Sequence, residues 1–163
     1  RELHALDNSL LLLRHDAEQG VGDRRSIHVW WGGLMANGPL MLLLAFLLKS
    51  DVEWRHAKVV ALTVVDTDEE IGIARRGLEA IFESARLEGV PRVILRDGES
   101  IVDIMARESA ESDLTVMGLR LPDNPEQAGS LYAYYTGLLE RLGTTILVNS
   151  SKDFEGAPVL FDK

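Results

Sequence analysis

The sequence predicts an α/β domain: a doubly wound, five-stranded parallel sheet with helices on both faces, and with one terminus able to add an extra edge strand. Three observations carry this. Apolar strands and stretches of helical periodicity alternate as βαβαβαβαβ from residue 26 onward. The run Lys58-Val-Val-Ala-Leu-Thr-Val-Val65 is rich in β-branched residues and apolar on both faces, as in a parallel strand covered from both sides. Cysteine is absent, which excludes a disulfide scaffold and every thiolate metal or redox site. A chain of 163 residues suits one domain that buries roughly 70% of its unfolded surface.

The elements follow in order. Ser26-Ile-His-Val-Trp-Trp31 reads as the first strand of the wound sheet and stops at Gly32-Gly33; a helix follows over about Asn37–Ala57. After the strand at 58–65, Thr67 and Glu70 form a capping-box pattern that opens a helix with Ile71, Ala74, Leu78, Ile81, Phe82 and Ala85 on one face. Gly89 is expected to stop it. Val90–Leu95 is the third strand, and Ser100 caps a short helix carrying Ile101, Ile104 and Met105. Leu114–Leu119 is the fourth strand. A polar loop over 120–129 leads to a helix starting near Ser130, and Thr145–Val148 closes the sheet. Outside this pattern, Ser9–Arg14 reads as a strand, residues 15–25 with Gly20 and Gly22 as a linker, and Pro158–Phe161 as a short edge strand.

Composition narrows the function. Seventeen basic against 26 acidic residues give a net charge of −9, which opposes binding to nucleic acid or docking on an anionic lipid surface. The longest uncharged apolar run, Pro39–Leu48, reaches only about half of a bilayer core of roughly 30 Å as a helix, so direct membrane insertion is not expected. The chain starts at Arg1 and reads as cut from something longer.

Catalytic chemistry finds little footing. His4, His15, His28 and His56 share no metal-ligand spacing, and no serine sits in a nucleophile elbow, so neither a metal nor a catalytic residue is assigned. Asp66-Thr-Asp-Glu-Glu70 lies where α/β sites form, but acids in a first helical turn serve the macrodipole, and capping outweighs a magnesium role. The ligand candidate is the loop Gly118–Ser130, with Gly118, Gly129 and Ser130 as nucleotide-contacting residues beside a helix N-terminus. The bland reading is that Gly129-Ser130 turns and caps that helix. Trp30 and Trp31 point to opposite faces of the sheet and are expected in the core.

One feature has no place in an isolated domain of this class. Leu40 to Leu48 is apolar at every position, more than two turns on all sides of the helix, whereas a helix on a sheet needs one apolar face. Its outer side is therefore expected to meet a partner. Met41, Leu44 and Leu48, with Tyr132 and Tyr134 of the last helix, are the residues assigned to that interaction face.

Ile27-His-Val-Trp-Trp31 with Gly32-Gly33 and Pro39-Leu-Met-Leu-Leu-Leu-Ala-Phe-Leu-Leu48 resembles the cytoplasmic C-terminal region of the cation-chloride cotransporters, whose strand reads Ile-Asp-Val-Trp-Trp ahead of a leucine-rich helix. Trp54-Arg-His-Ala-Lys58, Ser112–Leu119 and Gly129-Ser-Leu-Tyr-Ala133 are similar to further pieces, so the likeness runs from 26 to about 162. It implies the second of two universal-stress-protein-like sub-domains of a compact, prokaryote-type member. Residues 1–25 then close the preceding sub-domain and form the linker, and 26–163 form the α/β domain. The implied role is non-catalytic: regulation and dimerisation on the cytoplasmic face of the membrane. The implied partners are the preceding sub-domain, the transmembrane part and a second copy; no cofactor is implied. His28 departs from the family's usual Asp. The alternative is a stand-alone, nucleotide-binding universal-stress-type protein. Its phosphate pattern, Gly-x-x-Gly, nine residues, Gly-Ser, is only half kept: Leu121 holds the second glycine position and Gly129-Ser130 comes two residues early, which weakens ATP as a ligand.

Overall fold

A computed structural model describes residues 8–32 and 35–151. In chain order the elements are β1 (Leu10–Arg14), β2 (Ser26–Trp30), a 3-10 turn (Met35–Asn37), α1 (Gly38–Ser50), β3 (Lys58–Val65), α2 (Asp68–Ala85), β4 (Gly89–Leu95), α3 (Ile101–Glu108), β5 (Leu114–Gly118), α4 (Pro125–Leu139) and β6 (Thr145–Asn149). The strands form one sheet in the order β1-β6-β5-β2-β3-β4. The five strands β2 to β6 are parallel, as expected, and β1 runs antiparallel to β6 at the edge. The chain winds outward from β2 to β3 and β4, then returns to β5 and β6 on its other side. The switch point of the sheet therefore lies between β2 and β5.

Strand alternation splits the interior into two layers. Ile27, Val29, Val59, Ala61, Val116 and Val148 face α1 and α2, where they meet Leu40, Met41, Ala45, Leu78 and Phe82. Trp30, Val60, Leu62, Met117 and Leu147 face α3 and α4, against Ile104, Met105 and Leu138. Trp31, at the end of β2, packs with the first layer, so the two indoles do lie on opposite faces.

Three helix boundaries differ from the sequence reading, each for a local reason. Helix α1 ends at Ser50 because Asp51 turns extended (ψ 145°) and caps back to the Leu48 carbonyl; residues 51–56 form turns that bury Trp54. Helix α2 opens as expected, with the Glu70 carboxylate accepting from the Asp66 and Thr67 amides, both at 3.1 Å. It ends earlier than Gly89, at Ala85, where Arg86 takes the left-handed conformation with φ 48°. Gly89 instead opens β4, where a side chain would collide: its Cβ would sit 2.2 Å from the Phe82 ring. Helix α4 begins at Pro125, not near Ser130, since Asn124 Oδ1 accepts from the Gln127 amide at 3.0 Å and Pro125 suits the first turn.

The expected linker over 15–25 is a run of pinned turns. Asp16 accepts from the Glu18 and Gln19 amides at 3.0 and 2.8 Å, and its own amide donates to Thr144 Oγ1 at 3.0 Å. The carboxylate of Asp113, just before β5, accepts from the amides of Asp23, Arg25 and Ser26 (3.1, 2.7 and 2.9 Å) and from the Ser26 hydroxyl at 3.1 Å. Gly22, at φ +49°, leaves room for it: a Cβ there would lie 2.0 Å from Asp113 Oδ1. The extra edge strand is thus N-terminal, and Pro158–Phe161 lies outside the described residues.

Asp113→Ala strips three amides and a hydroxyl of their common acceptor and is expected to lower stability by about 2–3 kcal/mol in urea unfolding. Gly22→Ala, which pushes on the same carboxylate, is expected to destabilise by roughly 1–3 kcal/mol.

Candidate functional site

The feature of the molecule best suited to hold a ligand is a cavity of about 280 Å³ over the carboxyl ends of β2, β3 and β5, at the switch point. Trp30, Trp31 and Gly32 end β2 there; Val64 comes from β3, and Met117 and Gly118 from β5. Met41 of α1 closes one side, and Ile101 and Met105 of α3 with Tyr134 and Tyr135 of α4 close the other. Among the described residues neither a carboxylate nor a basic side chain lines it. The Tyr134 and Tyr135 rings meet edge to face, 5.2 Å apart at 78°. Burial raises the pKa of both phenols, so both stay protonated at neutral pH.

The residues assigned to nucleotide contact separate. Gly118 lines the cavity, but Gly129 and Ser130 sit inside α4, past its first turn, and the Ser130 hydroxyl donates to the Gln127 carbonyl at 3.0 Å. Three of the amides that could meet a phosphate are committed. Leu119 donates to the Val148 carbonyl (2.6 Å), Arg120 to the Tyr135 hydroxyl (2.7 Å) and Asp123 to Gln127 Oε1 (3.2 Å). Tyr135 in turn donates to the Gly118 carbonyl at 3.2 Å. Its phenol therefore occupies the loop's polar groups from inside. The N-terminus of α4 also has Asp123 and Glu126 beside it, an electrostatically poor place for an anion.

The assigned interaction face also divides. Met41 is 2% exposed and turned inward, into the core and the inner wall of the cavity, so it offers no outer surface to a partner chain. Leu44 and Leu48 are half-buried along a groove with Leu47, Trp54 and Ile146. The side of α1 that faces outward carries Phe46 and Leu47, 39% and 54% exposed, flanked by the half-buried Leu43. An all-apolar helix has no periodic signal to set its phase, and packing on β2 and β5 set it about a third of a turn from the assignment. Tyr132 is open to solvent, while Tyr134, two residues on and across the helix, borders the cavity.

A polar cluster that sequence reasoning missed lies below the cavity. Ser109 Oγ, fully buried after α3, accepts from Trp30 Nε1 at 2.9 Å and lies 3.1 Å from His28 Nδ1. The indole can only donate, so the hydroxyl proton is free to point at a neutral His28. Burial, reinforced by Arg92 and opposed by Glu108 and Asp113, lowers the His28 pKa from 6.5 to about 4. A His–Ser pair of this kind resembles part of a hydrolytic dyad, but Ser109 has no exposed surface. The available signal was a histidine in an otherwise apolar central strand. Elsewhere, Asp66 to Glu70 serves as a helix cap, with Asp66 3.7 Å from Arg96. Among the described residues no group of three or more histidine, aspartate or glutamate side chains is placed to hold a metal.

The wound sheet with its aromatic switch point defines the class: an α/β fold of the universal-stress-protein type. None of the protein-family models matches this sequence, and no curated protein does. Among solved structures, the chain is similar to the crystal structure of the cytoplasmic domain of a prokaryotic cation chloride cotransporter, at 21% identity and a TM-score of 0.69. That likeness covers 98% of this chain, β1 included, and 58% of the other, so the chain spans somewhat over half of that structure. It is also similar to a universal stress protein in complex with cAMP, at 16% identity and a TM-score of 0.57, over 78% of this chain and 98% of that one. At these identities the likeness establishes the fold. Among the described residues no helix is long and apolar enough to cross a membrane.

The His28 shift makes stability depend on pH. The folded-state value lies below the unfolded one, so the unfolded chain takes up the proton first. The contribution of the neutral ring is present in full above pH 6.5 and is lost as pH falls toward 4. The expected loss is on the order of 2 kcal/mol, reduced from the full conversion because the ring is partly open to solvent. Urea unfolding between pH 7 and pH 4 checks this: His28→Asn should flatten the dependence over that window, and an unchanged slope would assign it to other groups.

Proposed function

We propose that this chain is a non-catalytic regulatory and assembly domain of a secondary transporter resembling the cation-chloride cotransporters. In this reading it lies on the cytoplasmic face of the membrane, tethered through its parent, beside a preceding cytoplasmic sub-domain and within a homodimer. The fold likeness over nearly the whole chain supports it, as does the commitment of the polar groups at the switch point to the chain's own structure.

The observation that carries the reading is strand β1. Four leucines in succession give it the two-sided apolar character of an interior strand, yet among the described strands it stands at the edge of the sheet. Leu11, Leu12 and Leu13 are 46%, 46% and 63% exposed. Leu13 pairs with Ile146 and Leu11 with Val148, which places both leucines on the α1 side of the sheet; Ile146 itself borders the groove of Leu44, Leu47 and Leu48. Edge strands of self-sufficient domains are guarded by charge, proline or bulges. The one charge in β1, Arg14, is turned back to Asp16 and the Leu142 and Gly143 carbonyls at 2.8, 2.8 and 3.3 Å. A neighbouring strand with helices above and below it is the cover such an edge lacks, and a preceding sub-domain would supply one. Completing the burial of the three leucines is worth roughly 3 kcal/mol in gross transfer terms.

Two measurements test the reading. The gene upstream of Arg1 is expected to encode about a dozen hydrophobic spans; an upstream region without them would overturn it. Leu11→Asp with Leu13→Asp is expected to weaken association of this domain with the preceding sub-domain by at least about tenfold, read by titrating the two as separate polypeptides. Equal affinity of variant and parent would show that the edge is not the seam.

The alternative, a stand-alone nucleotide binder, draws on the likeness to nearly the full length of a stress protein bound to cAMP. It requires heat of binding with ATP or cAMP at millimolar concentration in calorimetry, which the occupied amides after β5 lead us not to expect.

A further inference from the structure

We propose that the cavity over the carboxyl ends of β2, β3 and β5 is a binding site for a small, uncharged aromatic molecule. Its position is the one where open α/β sheets bind ligands, but its chemistry differs from that of a phosphate site. Among the described residues no lysine or arginine lines it, and the first amides after Gly118 are bonded to Val148 and Tyr135. Arg120, the nearest cation in the sequence of that loop, faces Asp123 at 3.6 Å. Among the described residues an anion would find no lining cation there, and the two amides next to Gly118 are already bonded.

What the walls offer is ring faces and sulfur. Trp31 and Tyr134 supply aromatic surface, and Met41, Met105 and Met117 supply three flexible thioethers. Stacking and edge contacts on aromatic rings favour a flat π-system over an aliphatic chain, and methionine sulfurs sit well at ring edges. At about 280 Å³ the space exceeds the apolar cavities of about 150 Å³ that take up benzene, and so has room for two fused rings. The polar groups set a limit of their own. The Trp30 indole N–H is spent on Ser109, and the Tyr135 hydroxyl on Arg120 and Gly118. The Tyr134 hydroxyl has no hydrogen-bond partner among the described residues, which leaves one donor and acceptor for a ligand hydroxyl or ring nitrogen. The absence of a lining carboxylate disfavours an organic cation, which the ring faces alone would attract.

The probe is 2-naphthol, titrated into the chain labelled with ¹³C at its methionine methyls. Three of the four methionines line the cavity, so binding there has its own signature. Saturable shifts of the Met41, Met105 and Met117 methyls are expected. Tyr134→Ala, at a side chain 41% exposed and so tolerant of substitution, should weaken binding about tenfold. Ile101→Trp, at the rim, should block entry, while Leu47→Ala, on the apolar side of α1, should leave affinity unchanged. Folding of each variant is read from the same spectra. Tetramethylammonium and AMP are expected to leave the methyls in place. Saturation by either of these in preference to 2-naphthol, no saturable shift with 2-naphthol, or affinity lost in Leu47→Ala but kept in Tyr134→Ala would overturn the assignment.

Discussion

Strand β2 has neighbours on both edges and ends in two tryptophans, so both faces of the sheet must be built around one bulky side chain each. On one face Trp31 lies so close to the first turn of α1 that a Cβ on Gly38 would meet its ring at 2.1 Å. Only glycine lets the helix backbone come that near, and with Leu40 to Leu42 buried behind it the start of α1 is fixed against the strand. On the other face the Trp30 indole N–H needs an acceptor inside the core, and Ser109 at the end of α3 supplies it. That serine also lies against His28, two residues before Trp30 on the same side of the strand. One pair of indoles thus positions a helix on each side. Because both rings end at the tips of the strands, they also wall the cavity between the layers.

Much of this architecture was legible in the sequence, and the parts that were not share a cause. The alternation of β-branched runs and capped helices gave the wound sheet, because each signal is local: Thr67 with Glu70, Ser100 with Asp103, the unbroken run 58–65. The start of α4 is as local, with Asn124-Pro125 as its marker, but Gly129-Ser130 carries a competing turn-and-cap signal inside the helix. Two other features depend on tertiary packing and could not be read from spacing. Gly89 is small for the sake of the Phe82 ring, which reaches it across a turn. The outward side of α1 is fixed by what it packs on, and nine apolar residues in a row carry no phase of their own. Of the candidate site, Gly118 and Tyr134 were named for different reasons, one for phosphate and one for protein contact, and the fold brings them to the same cavity.

The surfaces left open differ in kind. Ile73, Val52 and Val90 are single exposed apolar residues on separate elements, of the sort every soluble domain carries. The edge at β1 is continuous. Leu11 and Leu13 lie on one side of the strand and Leu12 on the other, along an edge that pairs with no second strand among the described residues. Through Ile146 this edge adjoins the groove under Leu44 and Leu48, and the exposed Leu47 borders that groove in turn. The apolar surplus of α1 therefore does not stand alone: it is one side of a larger uncovered area whose other side is the edge strand.

One side chain, Tyr135, both engages polar groups of the loop after β5 and borders the cavity beside it. A tyrosine at position 135 places its hydroxyl between the Arg120 amide and the Gly118 carbonyl, doing with one phenol what a bound anion and a glycine-rich turn would otherwise do. Such a phenol holds the loop rigid without a ligand. It also keeps its ring, and the neighbouring Tyr134 ring set edge-on to it, at the rim of the space over β5. What stands there is a ring-walled space with flexible thioethers on its inner side, a lining able to adapt to a flat guest. The bonded polar groups and the hollow beside them are separate features, and it is the second that the proposed aromatic guest would use.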